Sequence, residues 1–515
     1  MGLGQGMIRH LFSSNVKAAM LRNPPIFACF LLLFLLGCGP RIPDFPAPDA
    51  WGGVRGPGGP ALGFGSEELQ VHCSFLDGGE LDEDHHNLVV MYDGYLVFPW
   101  VPESGGGGLS LVDFSDPCNP ATVGSGFSES MRESHSVAFS DVAGGRWAVV
   151  NDMAGVQFWN LSDPSAPRVA SVLALPDVIY PDAYIQVVLS VFWQGPYVFA
   201  SSGFNGVFVI DASDPLNPSH VATYKTDPPI GVGSLHAVGS LGMISSSGGA
   251  GTQLVDLSDP LNIRARPGGD FLVHSSEEVP RAYYFANLSG PYALFARNEV
   301  TGGPIIYDIS NPASPSFVAD APTAGGNGGY LSWKSDRLFV GDSEDARVYD
   351  VSEPAAPVEL MVLDLPGDLD TATPIGNVVV LSVDEGAPDG EASSIIPVGA
   401  EPDGVPPRVG FHWPPDGAIN QSTGTRIGLS FDEMVEPISV FVGSLRVWDA
   451  DGELVEGLFN AQENLVNFTP SEALLPDMTY FVEAPAGGIV DDSGNAMNEA
   501  VTFRFATGPT LADPL

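Results

Sequence analysis

One phrase recurs six times along this chain: a glycine, an alternating apolar run, an acid, then Ser-acid-Pro-x-x-Pro, with single departures in some copies. It reads GLSLVDFSDPCNP from Gly108, GVQFWNLSDPSAP from Gly155, GVFVIDASDPLNP from Gly206, GTQLVDLSDPLNI from Gly251, GPIIYDISNPASP from Gly303 and DARVYDVSEPAAP from Asp345. The copies align without a gap and start about 42 to 52 residues apart. Self-similarity at that period marks a solenoid or propeller, whose repeats bury their faces only against one another.

Each repeat holds four short runs with period-2 alternation. A first run begins near a His or polar residue, as in HNLVVM at His86, HSVAFS at His135 and HAVGS at His236. A second follows a Gly-aromatic turn, the third is the repeated phrase, and a short fourth follows it. Gly 61 and Pro 46 supply the turns that such short antiparallel strands need. The acid closing the third run (Asp113, Asp211, Asp256, Asp308 and Asp350, with Asn160 in the second copy) stands two residues before a Ser. Short acceptors there bond backbone N–H groups of a turn, and the Pro that follows stops the ladder. Calcium ligation is the alternative role, but one acid per repeat does not converge as coordination demands.

Six copies carry the phrase, and a weaker seventh unit, TPIGNVVVLSVDEG from Thr373 with ASSIIPVG from Ala392, supplies only three strands. An orphan strand, ELQVHCSF at Glu68 to Phe75, precedes the first repeat. Pairing it with the seventh unit would leave no open edge. The expected fold is therefore all-β: a seven-bladed propeller, six-bladed as the fallback, over residues 67–400, followed by a β-sandwich over 405–510. The second module starts after the break AEPDGVPP at Ala400.

The N-terminus reads as targeting. Ile26 to Leu36 is an apolar run too short to span a bilayer but suited to a signal-peptide core, so 1–37 are expected to be removed. The preceding residues look surplus, which makes Met20 an alternative start. Leu35-Leu36-Gly37-Cys38 resembles a bacterial lipobox, implying acylation of Cys38 and an anchor in the cell envelope, with Gly39 fitting the outer membrane. The Pro- and Gly-rich stretch 38–66 reads as a tether. Cys73 and Cys118 then remain. An oxidising compartment favours a disulfide between them, although their spacing does not show that they meet.

The phrases LSLVD, VFVID and TQLVD resemble the LVIVD repeat family, exported or surface propellers mostly without assigned chemistry, over about 330 residues. The C-terminal module is similar to bacterial Ig-like domains of the SbsA type. Its marks are PPDGAINQSTGTRIGLSFDEMVEP at Pro414, NLVNFTPSEALLPDMTYFVE at Asn464, GGIVDDSGNAM at Gly487 and VTFRFATG at Val501. That resemblance implies a spacer or adhesion unit.

Sixty-three acids against twenty Lys and Arg leave a net charge of −43 without a basic stripe, which argues against nucleic acid as a partner. No nucleophile elbow, Walker loop, H-E-x-x-H or C-x-x-C occurs, so the sequence assigns no reaction. One constellation merits attention. His86, His135 and His236 open first strands, with Gln186 and Tyr283 near equivalent places. First strands line a propeller channel, so these five side chains could ring one mouth and hold a ligand or a transition metal. Otherwise no cofactor is expected. The leading reading is a lipid-anchored binding or scaffolding propeller whose partner is a protein or glycan of the envelope. The alternative is a propeller enzyme or metal-dependent binder working at the channel mouth, with carbohydrate as a candidate substrate.

Overall fold

The computed structural model describes residues 41–76, 88–101, 105–180, 185–298, 301–324, 328–343, 345–364, 367, 369–383 and 393–509. Nine four-stranded sheets account for its strands, seven of them blade-like and two in the C-terminal module. In blades 1 to 6 the strands are ordered as they occur in the chain. Their first strands are Val90–Tyr92, Ala138–Ser140, Ser190–Gln194, Val232–Val238, Tyr283–Ser289 and Leu331–Lys334.

Blade 7 differs. Leu369–Ile375, Val378–Val383 and Ser393–Pro397 are joined by the N-terminal strand Ser74–Leu76, which pairs antiparallel with Ser393–Ile395. The expected fourth strand of this unit is thus present, starting later than the run from Glu68 suggested. Backbone bonds from Gln70 N–H to Pro397 O (2.8 Å) and from Cys73 N–H to Ile395 O (2.9 Å) lead into it.

Apolar side chains knit each blade to the next. Val97 and Leu109 of blade 1 share a cluster with Phe139 and Trp159 of blade 2, and Phe98 and Trp100 share another with Ile375 and Ile395 of blade 7. Nearly every side chain of the second and third strands is buried, because both faces of each sheet are covered. Fourth strands such as Ser219–Tyr224 alternate exposed and half-buried, as edge strands facing solvent do.

The repeated phrase builds its turn as the spacing required. Asp211 Oδ1 accepts from Ser213 N–H (3.0 Å) and Oγ (2.7 Å), and Asp350 does the same for Ser352 (2.9 and 2.6 Å). Asn160 reproduces the backbone bond to Ser162 (2.9 Å). A register shift before the closing acid, between Val209 and Ile210 in blade 3, recurs across the third and fourth strands of the six phrase-bearing blades. Such a bulge sharpens the twist that lets blades fan apart.

The C-terminal module is a sandwich. Val409–Trp413, Ile427–Phe431, Leu465–Pro470 and Gly457–Gln462 form the sheet that meets the propeller. Ala418–Gln421, Val501–Thr507, Thr479–Ala484 and Arg446–Asp449 form the outer one, with a parallel pairing between its first two strands. Phe431, Phe468, Tyr480 and Phe505 centre the core between them.

Residues 41–66, expected to act as a tether, are packed. Phe45 lies edge-on to Trp448 (5.6 Å), Arg55 pairs with the buried Asp93, and Phe64 N–H reaches Ala400 O (2.7 Å).

Candidate functional site: a lidded channel

The turn between the first and second strand of a blade projects from one face of the propeller, and the sandwich sits on that face. It reaches every blade with at least one hydrogen bond. Glu436 accepts from Asp93 N–H (2.7 Å) on blade 1, and Asn460 joins Ser140 Oγ (3.0 Å) on blade 2 to Gly195 N–H (2.7 Å) on blade 3. Asn467 accepts from Gly239 N–H (2.7 Å) on blade 4, and Asn464 donates to Leu288 O (2.7 Å) on blade 5. Ser335 N–H of blade 6 reaches Asp432 O (2.8 Å), and Gly376 N–H of blade 7 reaches Asp492 Oδ1 (3.2 Å).

Most of these docking points lie in the turns between first and second strands. Gly239 shows why glycine is needed: its φ is +59°, and a Cβ there would lie 2.5 Å from Arg426 O and 2.8 Å from Gly428 N. The backbones meet where side chains would have held them apart.

From this sheet the turn Gln462-Glu463-Asn464 points into the channel. Glu463 lines a cavity of about 30 Å³ together with His135, His236, Tyr284, Phe285 and Tyr330. That space holds about two water molecules. Phe285 and Tyr330 stack with centroids 3.9 Å apart, and His135 packs against both, at 5.2 and 6.2 Å. Burial raises the Glu463 carboxyl to about 7, opposed by its hydrogen bond from Asn287 Nδ2 (2.8 Å). His236, fully buried beside Phe192, is lowered to about 4 by desolvation and is neutral at ordinary pH. His135 Nε2 lies 3.0 Å from Glu133 Oε1, and Arg132 approaches the same carboxylate at 3.5 Å. The Nδ1 of His135 is buried without a hydrogen-bond partner among the described residues.

Of the four described side chains expected to ring a channel mouth, two meet. His135 and His236 face one cavity. Tyr283 does not: its hydroxyl donates to Gly251 O (2.6 Å) and accepts from Ser246 N–H (2.8 Å), deep between blades 4 and 5. The neighbouring Tyr284 faces the channel instead. Adjacent strand residues point to opposite faces, and a register shift between Tyr283 and Ala286 displaces the equivalence drawn from spacing. Gln186 lies half-buried at the propeller edge, where its carbonyl accepts from Ile179 N–H (3.1 Å), and it does not line the cavity. His86 and Cys38 lie outside the described residues. Cys73 and Cys118 are free thiols, half-buried and in mutual contact.

Sequence reasoning missed Glu133, Tyr284, Phe285, Tyr330 and Glu463. Tyr284 carried a signal in the doublet Tyr283-Tyr284. Glu463 carried none, since an acid in a Gln-Glu-Asn hairpin ordinarily faces water.

A second charged cluster lies at the lid's edge. Lys334 of blade 6 places its ammonium 2.7 Å from Glu433 and 2.8 Å from Asp403, with Asp492 at 3.8 Å. Asp403, Glu433 and Asp491 present carboxylate oxygens within 4.8 Å of one another, the one such group of potential ligands among the described residues. Among the described residues, side chains able to hold a metal gather at this junction, where Lys334 supplies a positive charge.

Tandem four-stranded blades under a two-sheet lid define a β-propeller protein with an Ig-like cap. The chain carries LVIVD repeats, matched over 188–226 and 287–323, and a bacterial Ig-like domain, matched over 403–507. No curated protein matches it. Among solved structures it is similar to the periplasmic gluconolactonase of Pseudomonas aeruginosa (13% identity, 61% of this chain and 88% of that one, TM-score 0.46). It is also similar to a chain of the mitotic checkpoint complex (11%, 66% and 99%, 0.47) and to the computationally designed Ika8 protein (11%, 62% and 87%, 0.40).

Proposed function

We propose that this chain is an exported, lipid-anchored protein whose seven blades close into a ring and bind or scaffold an envelope partner, a protein or glycan, through the face opposite the lid. The observation that carries this reading is the seven-blade contact of the Ig-like module, whose hairpin residue Glu463 lines the cavity among the blades. Recognition of a macromolecular partner then falls to the face that the lid leaves open. There the apolar side chains Phe204 (59% exposed), Ile179 (51%) and Ile185 (50%) gather, with Phe204 N–H bonded to Ile185 O at 3.0 Å. Exposed apolar clusters of this kind serve interaction. The expected spacer role of the Ig-like module gives way to that of a lid.

The anchor is tested by feeding cells labelled palmitate. Incorporation and partition into detergent are expected, and both should be lost in Cys38→Ser; label that persists in the variant rules out the anchor.

His135 sustains the second reading, a ligand- or metal-binding channel, because its orphaned Nδ1 borders the cavity. Metal analysis of purified protein decides it. Under the scaffolding reading neither the parent nor the His135→Ala/His236→Ala variant holds stoichiometric metal; metal present in the parent and lost in the variant would favour the channel.

A further inference from the structure

We propose that Cys73 and Cys118 form a disulfide that staples the N-terminal strand of blade 7 to the rim of blade 1. The inference rests on the export proposed above, which supplies an oxidising compartment.

Three observations carry it. The N-terminal strand in blade 7, Ser74–Leu76, is only three residues long and pairs on one side alone. It is the one strand of its sheet brought from the far end of the propeller sequence, and so it has the most to gain from a covalent hold. Cys73 stands immediately before it, fixed by its backbone bond to Ile395 O and packed against the apolar cluster that blades 7 and 1 share. Cys118 stands in the turn after the third strand of blade 1, where its N–H donates to Asp116 Oδ1 at 3.1 Å. Two backbones held by separate turns thus deliver two half-buried thiols into contact.

The chemistry is thiol–disulfide exchange with a disulfide oxidant, either glutathione disulfide or an exchange protein. One cysteine thiolate attacks the oxidant's S–S bond and releases the first thiol. The second cysteine then displaces the other half, leaving one new S–S bond and two reduced thiols on the spent oxidant. The protons lost by the two cysteines end on those thiols. The bond closes a loop through the first three strands of blade 1 and restricts the unfolded chain accordingly.

The test uses the full chain carrying Cys29→Ser and Cys38→Ser, made in a reducing cytoplasm, so that only two thiols remain. It is equilibrated with graded mixtures of reduced and oxidised glutathione, denatured, and alkylated. The expected result is joint loss of both thiols, a mass lower by two hydrogens, a peptide linking Cys73 to Cys118, and an upward shift of several degrees in melting midpoint on oxidation. Two thiols that stay alkylatable, or that take up glutathione separately, would overturn the bond. This arm never requires secretion. Export is read separately, by whether the unaltered chain leaves the cytoplasm.

Discussion

Replacing Glu463 by Gln is expected to stabilise the protein at pH 8 by as much as about 3 kcal/mol, the equivalent of moving a carboxyl from 4.5 to about 7. The carboxyl is buried in the channel with Asn287 as its hydrogen-bond donor, so its charged form has lost water without gaining a cation. Its folded pKa lies above its unfolded one. Its contribution is therefore whole below about 4.5 and is lost as the pH climbs through 7. Gln keeps a carbonyl for Asn287 and does not titrate. Denaturation at a series of pH values should show the parent weakening between pH 5 and 8 more steeply than Glu463→Gln. Glu433 and Asp491, raised by burial to about 8 and about 7, add a slope that both proteins share. Parallel curves would mean that the channel admits enough water to solvate the charge.

Lys334→Met is expected to cost about 3 to 5 kcal/mol at pH 8, because removing one partner from a buried ionic cluster strands the others. Met preserves the apolar stem and removes the ammonium that serves Glu433 and Asp403 at 2.7 and 2.8 Å and Asp492 more distantly. The loss should be smaller at pH 5, where the stranded acids can take up protons. Limited proteolysis of the linker 398–408, followed across pH alongside chemical unfolding, reads lid release directly. A variant as resistant as the parent at pH 8 would show that the cluster is neutralised some other way.

Much of the propeller was legible because its information is local and repeated. The alternation in VFVID, the Asp211–Ser213 turn and the Pro that ends the ladder each act within a few residues, and six copies reinforce one reading. The strand joining blade 7 was found by a global argument, that a three-stranded unit and an orphan strand complete each other. Its bounds were not, since Glu68 to Phe75 looks uniformly strand-like while pairing depends on where Pro397 lies. The docked lid was invisible for a different reason. Asn460, Asn464 and Asn467 read as ordinary polar positions of a sandwich face, and only the meeting of two modules turns them into bonds to Gly195, Leu288 and Gly239. The channel suffered from parity: an error of one residue exchanges Tyr283 for Tyr284, and with it the core for the cavity.

The course of residues 41–47 bears on how the molecule would stand on a membrane. Phe45 and the carbonyl of Pro46 pack on Trp448 and Arg446 of the sandwich's outer sheet, the one turned away from the blades. Only Gly39 and Pro40 stand between Cys38 and Arg41, a reach of roughly 10 Å when fully extended. A chain acylated at Cys38 would thus rest cap-down on the lipid headgroups, with its uncapped rim and Phe204 held outward at the full height of the particle.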